Sequence, residues 1–243
     1  DQNKLLQHFA SKYKGQYIVF PQRHSIKIIS QQSAETTCRS RSLMFIAIAL
    51  QIAEYSRSRI VIPENGSVSL NYPLSASRRS SCSTRTTHPV VINQINKLFS
   101  NFGLSTVIEN PYELMTKGEM VRACKDQQYL LSILSESNSC GKRSRHQFFY
   151  ENTRATHCGH CMPCMYRRAA LVGCTDLTSY GNELNSLFEK KNLQLTDDFY
   201  AMLNFLKTNL TNEDIKRELR IAKVNELPDF EKYVELVIRT RSE

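Results

Sequence analysis

The chain has 243 residues, with 32 Lys and Arg against 23 Asp and Glu, a net charge of +9 and 41% hydrophobic residues. That length suits one large domain or a domain with an appendage, and the positive balance favours anionic partners: nucleotides, nucleic acid or an acidic protein. The longest uninterrupted apolar run, Leu43 to Leu50, falls far short of the roughly 20 residues that cross a bilayer, and no signal peptide is recognisable, so a soluble, cytoplasmic protein is expected.

Leu5, Phe9 and Tyr13 share one helical face, and Gly15 stops that helix. Tyr17 to Phe20 reads as a short strand closed by Pro21, and Ile26 to Ile29 as a second β-like run. From Thr36 a helix continues through LMFIAIALQIAE with apolar residues on every face, the pattern of a helix buried inside a larger domain. Arg39 and Arg41 stand near its start, where the helix dipole disfavours cations; either an anion lies nearby or both point into water.

Ile60 to Ile62 reads as a buried strand ended by Pro63. Strand, helix and strand at this spacing predict a parallel α/β sheet, whose ligands bind beyond the carboxyl ends of the strands, where Glu64, Asn65 and Gly66 fall. From Ser67 a long loop carries Arg78, Arg79, Arg85 and His88; it reads either as a functional lid suited to phosphate or carboxylate, or as a solvated, mobile loop. Pro89 opens a helix with Val91, Ile95, Leu98 and Phe102 at helical spacing, and Gly103 ends it. Ser105 to Ile108 is a further short strand. Thr116 and Glu119 have the offset of a capping box, which leaves Lys117 as a cation at a helix start without local explanation.

Cys158, Cys161 and Cys164 are separated by two residues each, and Cys140 lies 18 positions before Cys158. Three thiols at that pitch close on one ion without strain, and Cys140, followed by Gly141, is the natural fourth ligand. Four thiolates at about 2.3 Å make a tetrahedral zinc site that is structural, because no position is left for water or substrate. A ferredoxin-type cluster would need a fourth Cys three residues after the third, followed by Pro, whereas the next here is Cys174. His157 and His160 stand as alternative ligands, as groups supporting the site or as solvated loop residues, and disulfides are not expected in a reduced compartment. Cys38, Cys82, Cys124 and Cys174 are scattered and read as small buried apolar residues.

After the cluster, YRRAALVGC continues as a helix with Arg167 and Arg168 in its first turns. Beyond Gly181 the chain reads as helices, with starts at Thr196-Asp197-Asp198, Thr211 to Asp214 and Pro228-Asp229, the last followed by Phe230, Tyr233 and Val237. The organisation expected is an α/β domain over residues 1–180, containing the 140–168 zinc loop, and a helical extension over 181–243.

The segments CGHCMPCMYRRAAL with Cys140 upstream, ETTCRSRSLMFIAIAL, ENGSVSLNYPL with STRTTHP, and the turn at Thr116, Lys117 and Glu119 resemble the 7-cyano-7-deazaguanine synthase (QueC) family, and more closely its QatC-type branch in bacterial Qat anti-phage operons. The resemblance covers about residues 35 to 175. It implies a Rossmann-like, doubly wound parallel sheet of the ATP-pyrophosphatase kind, with structural Zn²⁺ on Cys140, Cys158, Cys161 and Cys164. It also implies ATP and Mg²⁺ as cofactors, and adenylation of a 7-deazaguanine carboxylate followed by amide or nitrile formation. Arg39, Arg41, Asn65, Arg85, His88, Lys117 and Arg167 would then contact nucleotide or substrate, and a protein of the same operon would be a partner. The family's Ser-Gly-Gly-x-Asp-Ser phosphate loop is missing: the chain's 8 Gly include no adjacent pair. Asp1 stands downstream of where that loop should be, so it is expected in a preceding segment or a separate chain, unless this chain does not turn over ATP by itself. Two other classes remain open from the residues alone: a basic zinc protein that binds nucleic acid, and a non-catalytic subunit of a defence complex.

Overall fold

The structure, a computed structural model, describes residues 2–17, 40–74, 85–143, 145–189 and 193–243. The expected strands after Tyr17, the side chains of Arg39 and Arg41, and the loop arginines Arg78 and Arg79 lie outside the described residues.

Helix α1 (Gln2–Lys12) ends where expected, with Gly15 in the left-handed region at φ 74°. It docks through aromatic rings: Phe9 and Tyr13 stand edge-on to Tyr129, and the Lys12 ammonium lies 3.7 Å from the Tyr129 ring centre while pairing with Asp126. Helix α2 (Ser40–Ser56) buries Ile46 and Ala53 but leaves Leu43, Phe45, Ile52 and Tyr55 exposed among the described residues. A helix apolar all round is therefore covered here on only part of its circumference.

Strand β1 (Ile60–Val61) pairs in parallel with β2 (Ile108–Glu109), Ile60 opposite Ile108. Between them run α3 (Gly66–Leu70) and α4 (Pro89–Asn101), a parallel strand–helix–strand unit, whereas the unit expected around α2 has its first strand outside the described residues. The long loop expected from Ser67 opens as α3, capped by the Asn65 side chain. Among the described residues the sheet stops at two strands. On the β2 side there is a physical reason: Ile108 turns its N–H and C=O away from β1, and the Asn96 side chain of α4 takes both, at 2.8 and 2.9 Å. Glu54 of α2 accepts the Thr106 N–H at 2.8 Å, so no further strand finds free backbone there. The second strand starts later than the expected Ser105.

Ile46, Ala53, Ile60, Ile92, Ile95, Phe99 and Ile108 form the core around this pair. The buried stripe of α4 is thus Ile92, Ile95 and Phe99; Leu98 and Phe102, expected to face inward, are exposed. Both registers satisfy helical spacing, and only the tertiary partner chooses.

Helices α5 (Lys117–Arg122) and α6 (Gln127–Ile133) lead into an irregular stretch, and α7 (Met162–Ala170) follows. Because α7 ends at Ala170, Arg167 and Arg168 occupy its last turn, not its first, where cations suit the dipole. Beyond α8 (Leu184–Leu187), α9 (Leu193–Lys207) begins before the expected Thr196 start, while α10 (Asn212–Ile221) opens on a Thr211–Asp214 capping box and α11 (Phe230–Ser242) follows Asp229 as expected. These helices do not stand apart: Met202, Phe205, Leu219, Tyr233 and Leu236 share one core with Leu70, Tyr72, Met162 and Tyr166. No described helix is long and apolar enough to cross a membrane.

The α4 face is open to a direct test by chemical denaturation. Phe99→Ala, at 6% exposure, should cost about 3–5 kcal/mol, and Leu98→Ala, at 51%, should cost well under half of that. Equal costs would contradict the packing described.

Candidate metal centre and the basic groups beside it

The loop that carries the cysteines is built from short turns. Cys161 caps α7 at its N-terminus, with Pro163 in the first turn, where a missing N–H costs nothing. Gly159 adopts φ 87°, and a Cβ there would stand 2.6 Å from the Asn182 carbonyl, so the turn between Cys158 and Cys161 requires glycine. The first amide of α7 is met from another element: Met162 N–H donates to the Asp198 carboxylate of α9 at 3.4 Å. Asp198, expected in the start of its own helix, lies inside α9 and serves the cysteine helix.

The four sulfurs of Cys140, Cys158, Cys161 and Cys164 lie within 4.8 Å of one another, all on buried residues. Cys158 and Cys164 are 3.9 Å apart, Cys140 and Cys161 4.0 Å. A tetrahedron with arms of about 2.3 Å has edges of about 3.8 Å, so the spacing fits one zinc ion at its centre. Backbone N–H groups already face the sulfurs: Lys142 and Cys158 donate to Cys140 Sγ, and Cys161 to Cys158 Sγ, each at 3.3 Å. Such donors stabilise thiolates. Four thiols this close cannot all ionise unless a cation joins them. The crowding therefore splits them: the Cys140 contact first, then Cys161 and Cys164, push Cys158 down, while Cys161 and Cys164 are pushed up, again by Cys140 first.

Neither histidine beside the cluster is among the grouped ligands. His157 Nε2 accepts the Ser139 N–H at 3.1 Å and Nδ1 meets the Thr156 hydroxyl at 2.9 Å, and burial with the Arg167 charge holds the ring neutral, at about 4. His160 turns Nδ1 towards the Cys158 carbonyl at 3.2 Å. The residue that organises the loop was not singled out from the sequence. Asn182, fully buried, donates to the Phe148 and Cys158 carbonyls at 2.7 Å and accepts the Tyr150 N–H at 3.1 Å. Its neighbour Gly181 passes under Phe149, where a Cβ would stand 2.4 Å from the ring. A Gly-Asn pair in a short loop was the available signal, and it is too common to stand out.

The basic candidates fall into different settings. Asn65 is a cap: Oδ1 accepts the Val68 N–H at 3.1 Å and Nδ2 donates to Glu64 at 3.0 Å. His88 caps α4 with Nδ1 on the Val90 N–H at 3.3 Å, and burial, helped by Arg85, depresses it to about 4. Arg85 is exposed at the border of a small cavity with Tyr72 and Glu218. Arg167 is 2% exposed and points all its donors at neutral oxygens: Thr178 at 3.0 and 2.7 Å, Ser137 at 2.8 Å, Ser139 at 3.4 Å and the Leu134 carbonyl at 2.6 Å. It ties α7 to the segment that presents Cys140.

Lys117 is the exception. The capping box at Thr116 is formed, with Glu119 Oε2 on the Thr116 N–H at 2.8 Å, and Lys117 follows it. Burial pushes its ammonium below the usual lysine range, opposed by Glu64, while Arg167 adds to the depression and Glu243 and the Cys164 sulfur oppose it. Burial pushes Glu64 up in turn. These groups meet at the carboxyl ends of the strands, where Asn110 donates to the Glu64 carbonyl at 2.8 Å and Gly66 N–H to the Met115 carbonyl at 2.7 Å. Helix α11 packs over this corner: Thr240 meets Ser67 at 2.7 Å, and Arg239 reaches Glu119 at 2.8 Å and the Leu114 carbonyl at 2.7 Å. A cavity of about 310 Å³ bordered by Tyr72, Phe205, Asp214 and Arg217 contains none of the expected site residues.

Comparison with protein-family models, curated proteins and solved structures finds no significant match to this chain.

The His88 cap makes a pH prediction. Its folded value, about 4, lies below the unfolded value of 6.5, so as pH falls from 6.5 towards 4 the unfolded chain takes up a proton that the folded one refuses. Stability should therefore decline over that window. In His88→Asn, which retains a capping side chain, urea midpoints between pH 7 and 4.5 should decline less steeply; an unchanged slope would contradict a buried, neutral His88.

Proposed function

We propose that the chain is a QueC-like α/β protein in which zinc on Cys140, Cys158, Cys161 and Cys164 holds the frame, and in which the chemistry is ATP-dependent activation of a carboxylate. The observation that carries the metal half is the compact tetrad of buried sulfurs with N–H donors on two of them. Such a site has no open position, so the zinc would fold the loop and supply no Lewis acid to a substrate. The catalytic half rests on the resemblance of the cysteine–arginine segment, the central helix and the Thr116–Glu119 turn. On this reading the domain belongs to a doubly wound sheet of which β1 and β2 are one pair, and it works in the cytoplasm.

The reaction proposed is specific. A carboxylate oxygen of a 7-deazaguanine acid attacks the α-phosphorus of ATP, pyrophosphate leaves, and an acyl adenylate forms. An amine then attacks the acyl carbon; AMP and a proton leave, and an amide bond is made. With ammonia as the amine, a second adenylation on the amide oxygen and loss of AMP and protons would give the nitrile. With an amine of an operon partner, the deazaguanine would become attached to that protein. Mg²⁺ would neutralise charge developing at the phosphates. Of the expected contacts, Lys117 is the described cation that makes no hydrogen bond or close ion pair with described residues, and it is the one we assign to an anionic substrate. The phosphates need N–H donors that a Gly-rich loop would provide, and these 243 residues contain no Gly-Gly pair. The protein is therefore best assayed together with its operon neighbours.

A second reading has its own support. Asn65, His88 and Arg167 are each committed to capping or bracing the fold, and α11 covers the strand ends. That arrangement suits a non-catalytic zinc subunit of a defence complex; nucleic-acid binding has only the +9 charge in its favour. Incubation of the assembled proteins with ATP, Mg²⁺, the deazaguanine acid and candidate amines separates the two. Mass spectrometry should find AMP and an amide or nitrile; ATP left intact and no adduct would favour the subunit reading.

A further inference from the structure

We propose that the space against Gly118, beside Lys117 and Arg122, is a carboxylate subsite that the chain itself fills, with the Glu243 side chain as the stand-in that a ligand carboxylate displaces. This deepens the assignment of Lys117 to an anionic substrate and rests on it.

Glu243 reaches the start of α5 from the C-cap of α11. Three positions of that turn grip the corner. Arg239 holds Glu119 at 2.8 Å and the Leu114 carbonyl at 2.7 Å, and Thr240 meets Ser67 at 2.7 Å. Glu243, whose N–H donates to the Arg239 carbonyl at 2.9 Å, lays its carboxyl group on Gly118. A Cβ at Gly118 would stand 1.6 Å from Glu243 Oε1 and 2.9 Å from Arg122 Nη1, so a carboxyl oxygen and a guanidinium flank one bare Cα. Gly118 lies inside α5 and is not among the residues at positive φ. Glycine within a helix is destabilising relative to alanine, so its missing side chain serves no local turn; what it admits is the carboxyl group. Lys117, one position earlier, makes no hydrogen bond or close ion pair with described residues.

Glu243 is a poor occupant of this space. Its Oε1 is shut off from solvent without a hydrogen-bond partner, which is costly for a carboxyl oxygen. Burial drives the group towards the neutral acid, against the Thr116 hydroxyl, the Gly118 N–H and the Arg122 charge. A ligand carboxylate that is free to turn would bring its oxygens to those groups, whereas Glu243 is held by the turn that carries it. The present occupant is one flat carboxyl group, and in the reaction proposed above the group to be activated is also a carboxylate.

Sodium formate is the probe, with sodium chloride at equal ionic strength as the reference and the urea midpoint of the whole chain as the readout. A ligand that binds only the folded protein raises that midpoint. In Glu243→Ala the space is open. The formate-dependent rise should reach half its maximum at about ten-fold lower formate than in the wild type, where the tethered side chain competes at a high effective concentration. Adding Gly118→Ala, whose Cβ takes the vacated space, or Lys117→Met, which removes the charge, should abolish that gain. Identical formate responses in wild type and Glu243→Ala, or a gain that survives either second substitution, would overturn the proposal. A positive response with ATP left intact in the assay above would keep the subsite and sink the adenylation reading; AMP formed without a formate response would do the reverse.

Discussion

Four sulfur atoms in a space less than 5 Å across set the terms for the rest of this molecule. Between Ser137 and Cys161 the chain has almost no regular structure, and its apolar contribution is little more than Phe148, Phe149 and Ala155. Such a stretch cannot offset the entropy of ordering its backbone, which costs roughly 1–2 kcal/mol per residue. A metal that binds only the folded form supplies on the order of 10 kcal/mol. The neighbouring bonds have the same purpose: Asn182 holds the carbonyls, Asp198 meets the first amide of α7, and Arg167 braces the approach to Cys140.

That constraint redistributes the basic residues. A positive chain invites the reading that each buried cation or polar group awaits an anionic ligand, yet Asn65 and His88 cap the N-termini of helices and Arg167 ends in neutral oxygens. What remains at the strand ends is a corner where Lys117, Glu64 and Glu243 share a poorly hydrated space under α11. The C-terminal helices are accordingly part of that corner. A Cβ at Gly66 would stand 2.2 Å from the Glu113 carbonyl and 2.7 Å from the fully buried Leu236 side chain of α11, so the strand-end turn needs glycine first against the neighbouring backbone and then against that helix.

Some of this was legible in the sequence because its causes are local. Cysteine spacing reports which thiols can share an ion, and the Thr116–Glu119 and Thr211–Asp214 offsets report bonds made within one turn. The glycine at position 103 ends its helix because the next backbone step needs positive φ. Other features depend on partners that no window of sequence contains. The α4 stripe could turn Phe99 or Leu98 inward, and the sheet decided. The edge of β2 is closed by Asn96, a side chain 12 residues away whose amide happens to match one backbone N–H and C=O. Asp198 looked like part of a helix start, but it meets the first amide of a different helix.

The central claim, that one zinc ion is held by these four thiolates, is tested most directly by X-ray absorption at the zinc edge of the purified protein. The account predicts one zinc per chain in a shell of four sulfurs at about 2.3 Å, with no nitrogen or oxygen neighbour. A shell containing imidazole or water, or protein without stoichiometric zinc, would contradict it.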